Sequence, residues 1–154
     1  MHTPSFFLAE ADLDDAELFG EALHSIAPDA SFQHAANGKD ALEQLSTLPQ
    51  KPEVIFLDIN MPVMNGWECL GKIKQDAALR QIPVVMYSTS SYSKDVERAM
   101  ELGALCFFTK ANSFTELCDI LRMFAQHLHS GIGKAIASFR NVHMTNPFAC
   151  ADHR

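Results

Sequence analysis

"VIFLDINMPVMNG" runs from Val54 to Gly66. Four apolar residues lead straight into Asp58, and Asn60, Pro62, Asn65 and Gly66 follow close behind. A strand that is apolar at consecutive positions has both faces covered, as in a parallel sheet flanked by helices. The turn-forming residues end that strand, so Asp58 stands at its carboxyl end. A carboxylate at the end of a fully buried strand needs a partner or a use.

The same alternation extends on both sides. "SFFLAE" (5–10) reads as a strand, and "DLDDAELFGEALHSI" (12–26) places Ala16, Phe19, Leu23 and Ile26 on one helical stripe. "SFQHAA" (31–36) is a weaker second strand before a helix from Gly38 to Leu48, and "EVIFLD" (53–58) is the third. "NGWECLGKIKQD" (65–76) follows as a helix, with Asn65 as N-cap and Glu68 three residues on. "IPVVMYS" (82–88) is a fourth strand, and Gly103 stops the helix in "KDVERAMELG" (94–103). "ALCFFTK" (104–110) is the fifth strand, and the last helix opens at Ser113 with "SFTE" and runs to His129. Repeated β-α units predict an α/β domain over residues 4–129, a parallel sheet with helices on both faces. The remaining stretch, 130–154, breaks the pattern. It reads as a C-terminal extension with a short helix at 132–140, and the sequence leaves open whether it docks or is disordered.

The 154 residues suffice for one domain with a real core, and 47% hydrophobic with 20% charged residues describe a globular chain. A net charge of −7, with Lys and Arg scattered, argues against a nucleic-acid or anionic-membrane partner. The N-terminal apolar run in "MHTPSFFLAEADLDD" is too short for a signal peptide or a membrane span. Cys69, Cys106, Cys118 and Cys150 form no C-x-x-C pair and read as reduced thiols. Met61, Met64, Met86, Met100 and Met123 read as gap fillers, and Trp67 as packing near the rim. His127 and His129 are spaced too closely to share a helical face as metal ligands.

In open parallel sheets, chemistry gathers at the carboxyl ends of the strands. Strand one ends in Glu10, Ala11 and Asp12, strand three in Asp58, strand four in Ser88 and Thr89, and strand five in Lys110. Singly, each is a cap or a solvated charge. Together they put acids, a hydroxyl and an ammonium on one rim. Two carboxylates about 4 Å apart repel by roughly 4 kcal/mol at an effective dielectric near 20, so such a cluster needs a cation or a proton.

An acid-rich first strand end, "LDINMPVMNG", "YSTSS" and "FFTK", in that order, resembles the receiver domain of bacterial two-component response regulators over roughly residues 4–128. "DLDDAELF", "STSS" and "KANSFTEL" look more narrowly like stand-alone receivers, some of them partners of phytochrome-type sensor kinases. The resemblance implies a flavodoxin-like, doubly wound five-stranded parallel sheet of order 2-1-3-4-5 with five helices. It implies that Asp58 is the phosphoacceptor, receiving a phosphoryl group from a histidine kinase or phosphotransfer protein. Glu10 and Asp58 would hold Mg²⁺ with the backbone carbonyl of Asn60, Ser88 would hydrogen-bond the phosphoryl oxygen, and Lys110 would pair with it. Phe107 takes the place of the aromatic switch residue, while Pro62 and Gly66 shape the loop after the acceptor strand. Output then runs through contact with an unknown downstream protein or between two copies as a homodimer, in the cytoplasm.

The sequence departs from that pattern at Ala11, where a second metal-ligating acid is usual, and at Ala111, where proline usually follows the lysine. A methyl group cannot coordinate Mg²⁺, so its binding is expected to be weak. Asp12 either reaches the ion through water or caps the first helix. A cis bond before a non-proline residue costs about 3 kcal/mol, so Lys110–Ala111 is expected to be trans. These departures keep alive a degenerate receiver, a binding module that does not use phosphate. Two enzymes on this topology fit worse. "EADLDD" would repel a flavin phosphate, and Asn60 stands where an aspartate-nucleophile phosphatase needs a second acid.

Overall fold

A computed structural model describes residues 3–89, 93–110, 113–129 and 131–136, together with the backbone of 148–150. The elements alternate as β1 (Ser5–Ala9), α1 (Leu13–Ile26), β2 (Ser31–Ala35), α2 (Gly38–Thr47), β3 (Val54–Leu57), α3 (Gly66–Gln75), β4 (Val84–Ser88), α4 (Ser93–Glu101), β5 (Cys106–Thr109) and α5 (Phe114–His127). The five strands pair in parallel in the order β2-β1-β3-β4-β5, as the resemblance implied. This is the flavodoxin-like arrangement.

Strand residues alternate between two cores. Phe6, Leu8, Val54, Phe56, Val85, Tyr87 and Phe108 face α1 and α5, while Phe7, Ala9, Ile55, Leu57, Val84, Met86 and Phe107 face α2, α3 and α4. All four residues of β3 are buried, which is why its sequence reads as an unbroken apolar run. Phe56 anchors the first core, with the rings of Phe19 and Phe124 edge-on at 5.0 and 5.3 Å. β2 alternates exposed and partly buried positions because it is the sheet edge, and this accounts for its weak signal.

The expected caps form. Asn65 accepts from Glu68 N at 3.0 Å, and Ser113 accepts from Glu116 N at 3.1 Å. Gly103, at φ +97°, ends α4 in a conformation that a side chain would strain. Gly66 is needed for a different reason: a Cβ there would lie 2.1 Å from the carbonyl oxygen of Asp58. α3 can start tight against the end of β3 only with glycine at that position.

The tail contributes two pieces. A short helix occupies 132–136, with Ile136 buried in the first core, and the rest of the predicted 132–140 helix lies outside the described residues. A sixth strand, β6 (Phe148–Cys150), pairs antiparallel with β5 in the register Cys106↔Cys150, Phe107↔Ala149 and Phe108↔Phe148. The sequence reading contains no such strand. The short helix at 132–136 and this strand are additions to the five-helix, five-stranded frame.

Candidate functional site

The parallel register brings the ends of β1, β3, β4 and β5 to one rim. Asp58 N donates to Ala9 O at 3.0 Å, and Lys110 N donates to Ser88 O at 2.6 Å, so the ladder continues one step past each strand. Asp58 is buried, and its Oδ1 accepts from Ile59 N at 2.8 Å. Its Oδ2 lies 3.6 Å from Lys110 Nζ.

Glu10 is 1% exposed. Its Oε1 accepts from Asp12 N at 3.0 Å, while its Oε2 lies 2.6 Å from Lys110 Nζ without hydrogen-bond angles, held by charge alone. Burial is the main reason its carboxyl is pushed up to about 7; Lys110 opposes that shift and Asp58 adds to it. The Lys110 ammonium is held above its ordinary range. Burial works against it, but the hydrogen bond it donates to Asp15 and then the pairing with Glu10 outweigh burial.

The expected residues therefore divide. Glu10, Asp58 and Lys110 meet directly. Ser88 is fully buried at the end of β4, joined to Lys110 through its carbonyl. Asn60 is exposed two positions past Asp58. Asp12 accepts from Asp15 N at 3.1 Å, so its side chain caps α1, one of the two roles the sequence left open. Ala11 packs partly buried against the second core. Phe107 is fully buried there among Met86 and Ala104. Ala111 lies outside the described residues. Trp67 packs against the same core with the Arg98 guanidinium 4.6 Å above its ring.

Three residues at the rim have no part in the sequence reading. Asp15 Oδ2 accepts from Lys110 Nζ at 2.7 Å. His34 Nε2 lies 2.8 Å from Glu10 O and fixes that stretch of backbone from β2. Val63 has φ +67°, with Met64 N donating to Pro62 O at 2.7 Å across it. That is a three-residue turn of the strained hand, rare for a β-branched residue. Asp15 reads in the sequence only as a first-turn helix acid, and His34 only as a strand residue.

The donor set suits a hard cation in kind: two buried carboxylates and a backbone carbonyl, of which Glu10 Oε2 lacks any hydrogen bond. It is sparse in number. Among the described residues, no group of three or more His, Cys, Asp or Glu is arranged to hold a metal ion. No helix among them is long and apolar enough to cross a membrane.

Comparison with known proteins bears out the architecture. The family model for the response regulator receiver domain matches residues 9–122. Response regulator Rcp1 of Synechocystis sp. is 32% identical over 120 residues, covering 75% of this chain and 82% of Rcp1. A protein-glutamate methylesterase/protein-glutamine glutaminase of Methanosarcina mazei is 30% identical over 141 residues, 88% of this chain. The chain spans only 35% of that relative's length, so the match is to its receiver part. Among solved structures, the phosphorylated cyanobacterial phytochrome response regulator RcpA superimposes with a TM-score of 0.76 at 28% identity, covering 84% of this chain and 98% of RcpA. The Mn²⁺-bound form of Rcp1 does so with a TM-score of 0.69 at 29% identity, covering 79% of this chain and 91% of Rcp1. The chain belongs to the response regulator receiver domain family, signalling domains of two-component systems.

Proposed function

We propose that the chain accepts a phosphoryl group on Asp58 from a histidine kinase or phosphotransfer protein and signals through altered protein–protein contacts. The observation that carries this reading is the convergence of Lys110 Nζ on the buried carboxylates of Glu10 and Asp58. A lysine beside two buried acids at the strand ends stands where phosphoryl transfer needs positive charge. In the transfer, an Asp58 oxygen forms the new P–O bond as the P–N bond to the donor histidine breaks, and the electron pair leaves with the imidazole nitrogen. Lys110 neutralises charge on the transferred group. The hydroxyl of Ser88 then donates to a phosphoryl oxygen, and Phe107 repacks within the second core as the two-state equilibrium shifts.

Glu10, Asp58 and the carbonyl of Asn60 are the residues that would hold Mg²⁺. When bound, the ion supplies positive charge to the phosphoryl oxygens. With Ala11 packed inward, binding is weaker than with a third acid. RcpA was solved phosphorylated and Rcp1 with Mn²⁺, in keeping with both parts of this reading. RcpA's phytochrome association makes a phytochrome-class sensor kinase the first partner to test, in the cytoplasm.

The test uses a small acyl-phosphate donor with Mg²⁺ and intact-mass detection. A phosphate-sized gain is expected, lost in Asp58→Asn and slowed about a hundredfold in Lys110→Ala. No gain at saturating Mg²⁺ would replace this reading with that of a phosphate-independent binding module.

A further inference from the structure

Lys110 has an ammonium with donors to share among three acids, and it shares them unequally. Only Asp15 receives a hydrogen bond from it, at 2.7 Å. Glu10 is close but badly angled, and Asp58 at 3.6 Å is beyond hydrogen-bond reach. Asp15 is itself firmly placed. It lies in the first turn of α1, where its N–H donates to the Asp12 cap, and an acid there is favoured by the helix dipole. The main chain of Lys110 is equally fixed by its bond to Ser88 O. The side chain is thus stretched between β5 and a helix on one face of the sheet.

We propose that Asp15 is a positioning residue that restrains Lys110, holding its ammonium off the phosphoacceptor and slowing phosphoryl transfer. Ala11 takes one acid away from the rim, and Asp15 returns one, but on the lysine rather than beside the reacting oxygen. An incoming phosphoryl group must draw the ammonium from Asp15 before it is neutralised, and meanwhile meets one more negative charge. The inference rests on the phosphoacceptor reading of Asp58. The cleft beside this contact, lined by Asp15, Leu18, Tyr87, Lys110 and Phe114, gives a small reagent access to the ammonium.

Two measurements on the full chain separate the inference from the reading beneath it. The first is labelling of Lys110 by an amine-acylating reagent, normalised to the other lysines by peptide mass mapping. The second is the initial rate of Asp58-dependent mass gain from the acyl-phosphate donor. Asp15→Asn is expected to raise Lys110 labelling about fivefold and the phosphorylation rate about threefold to tenfold, with the rate gain shrinking at high salt. Asp15→Glu, which keeps the charge, is expected to return both toward wild type. Unchanged labelling in Asp15→Asn overturns the proposal. So does raised labelling with a rate that is unchanged or lower, because Asp15 would then hold the lysine without restraining the transfer. Absence of any mass gain in wild type and variant alike overturns the phosphoacceptor reading instead, and the labelling ratio still decides whether Asp15 holds Lys110.

Discussion

Glu53 precedes β3 and Glu10 follows β1, so two glutamates of one parallel pair lie at opposite ends of the sheet. At the base, the Glu53 carboxylate accepts from Ser5 N at 2.9 Å and pairs with the His129 imidazole, tying the end of α5 to the sheet. At the rim, Glu10 is more deeply buried, has one oxygen without a hydrogen bond, and leans on a lysine that other acids also claim. The base carboxylate is satisfied by its surroundings and works as structure. The rim carboxylate is kept at a cost to stability, and on the function proposed above its unsettled charge is what a cation would meet.

The contrast has measurable consequences. Lys110→Ala leaves Glu10 and Asp58 facing each other, and at about pH 8 it should cost roughly 3 kcal/mol of stability in urea unfolding. The loss should shrink at about pH 5, where Glu10 takes a proton. Equal losses at both pH values would mean that the lysine packs rather than neutralises.

Glu10→Gln is expected to act the other way. Because the folded protein raises this carboxyl from 4.5 to about 7, the folded state binds the extra proton between those values, and wild-type stability falls as pH rises through that window. Above the window Glu10→Gln should be the more stable protein by about 2 kcal/mol, and its stability should lack this fall. A variant that is weaker at every pH would put Glu10 in the same class as Glu53.

Glu53→Gln keeps an acceptor for Ser5 N and loses the ion pair with His129. Its cost should be no more than about 1 kcal/mol in the same unfolding experiment. The smallest effect belongs to the strained turn at the rim. Val63→Gly should gain about 0.5 kcal/mol, because relief of the positive φ exceeds the flexibility added to the unfolded chain. A net loss would show that the exposed valine side chain makes a contact worth more than the strain.

What the sequence revealed and what it hid follow from the range of the interactions. Val54–Leu57 announces a doubly covered strand because every residue in it is buried, and Asn65 and Ser113 announce helix starts because a cap bonds within three residues of itself. Glu10, Asp58 and Lys110 were legible as a group because strand ends in a parallel sheet share a rim. Asp15 was not, since its bond to Lys110 spans 95 residues and its local role as a first-turn acid explains it fully. His34 likewise meets Glu10 only through the pairing of β2 with β1. β6 left no readable pattern because a three-residue strand has no periodicity, and its pairing is specified by the backbone of β5.

That last strand changes the outline of the sheet. With β6 laid along it, β5 has its outer edge paired over Cys106–Phe108, next to the buried aromatic at 107. An extended peptide or a second chain cannot lengthen the sheet on this side unless residues 148–150 first peel away. Among the described residues, the margin still open to strand addition is β2, whose exposed Ser31 and Gln33 are polar and offer a newcomer little grease. Edge-to-edge extension of the sheet is therefore opposed by the chain's own tail at one margin and by polar side chains at the other.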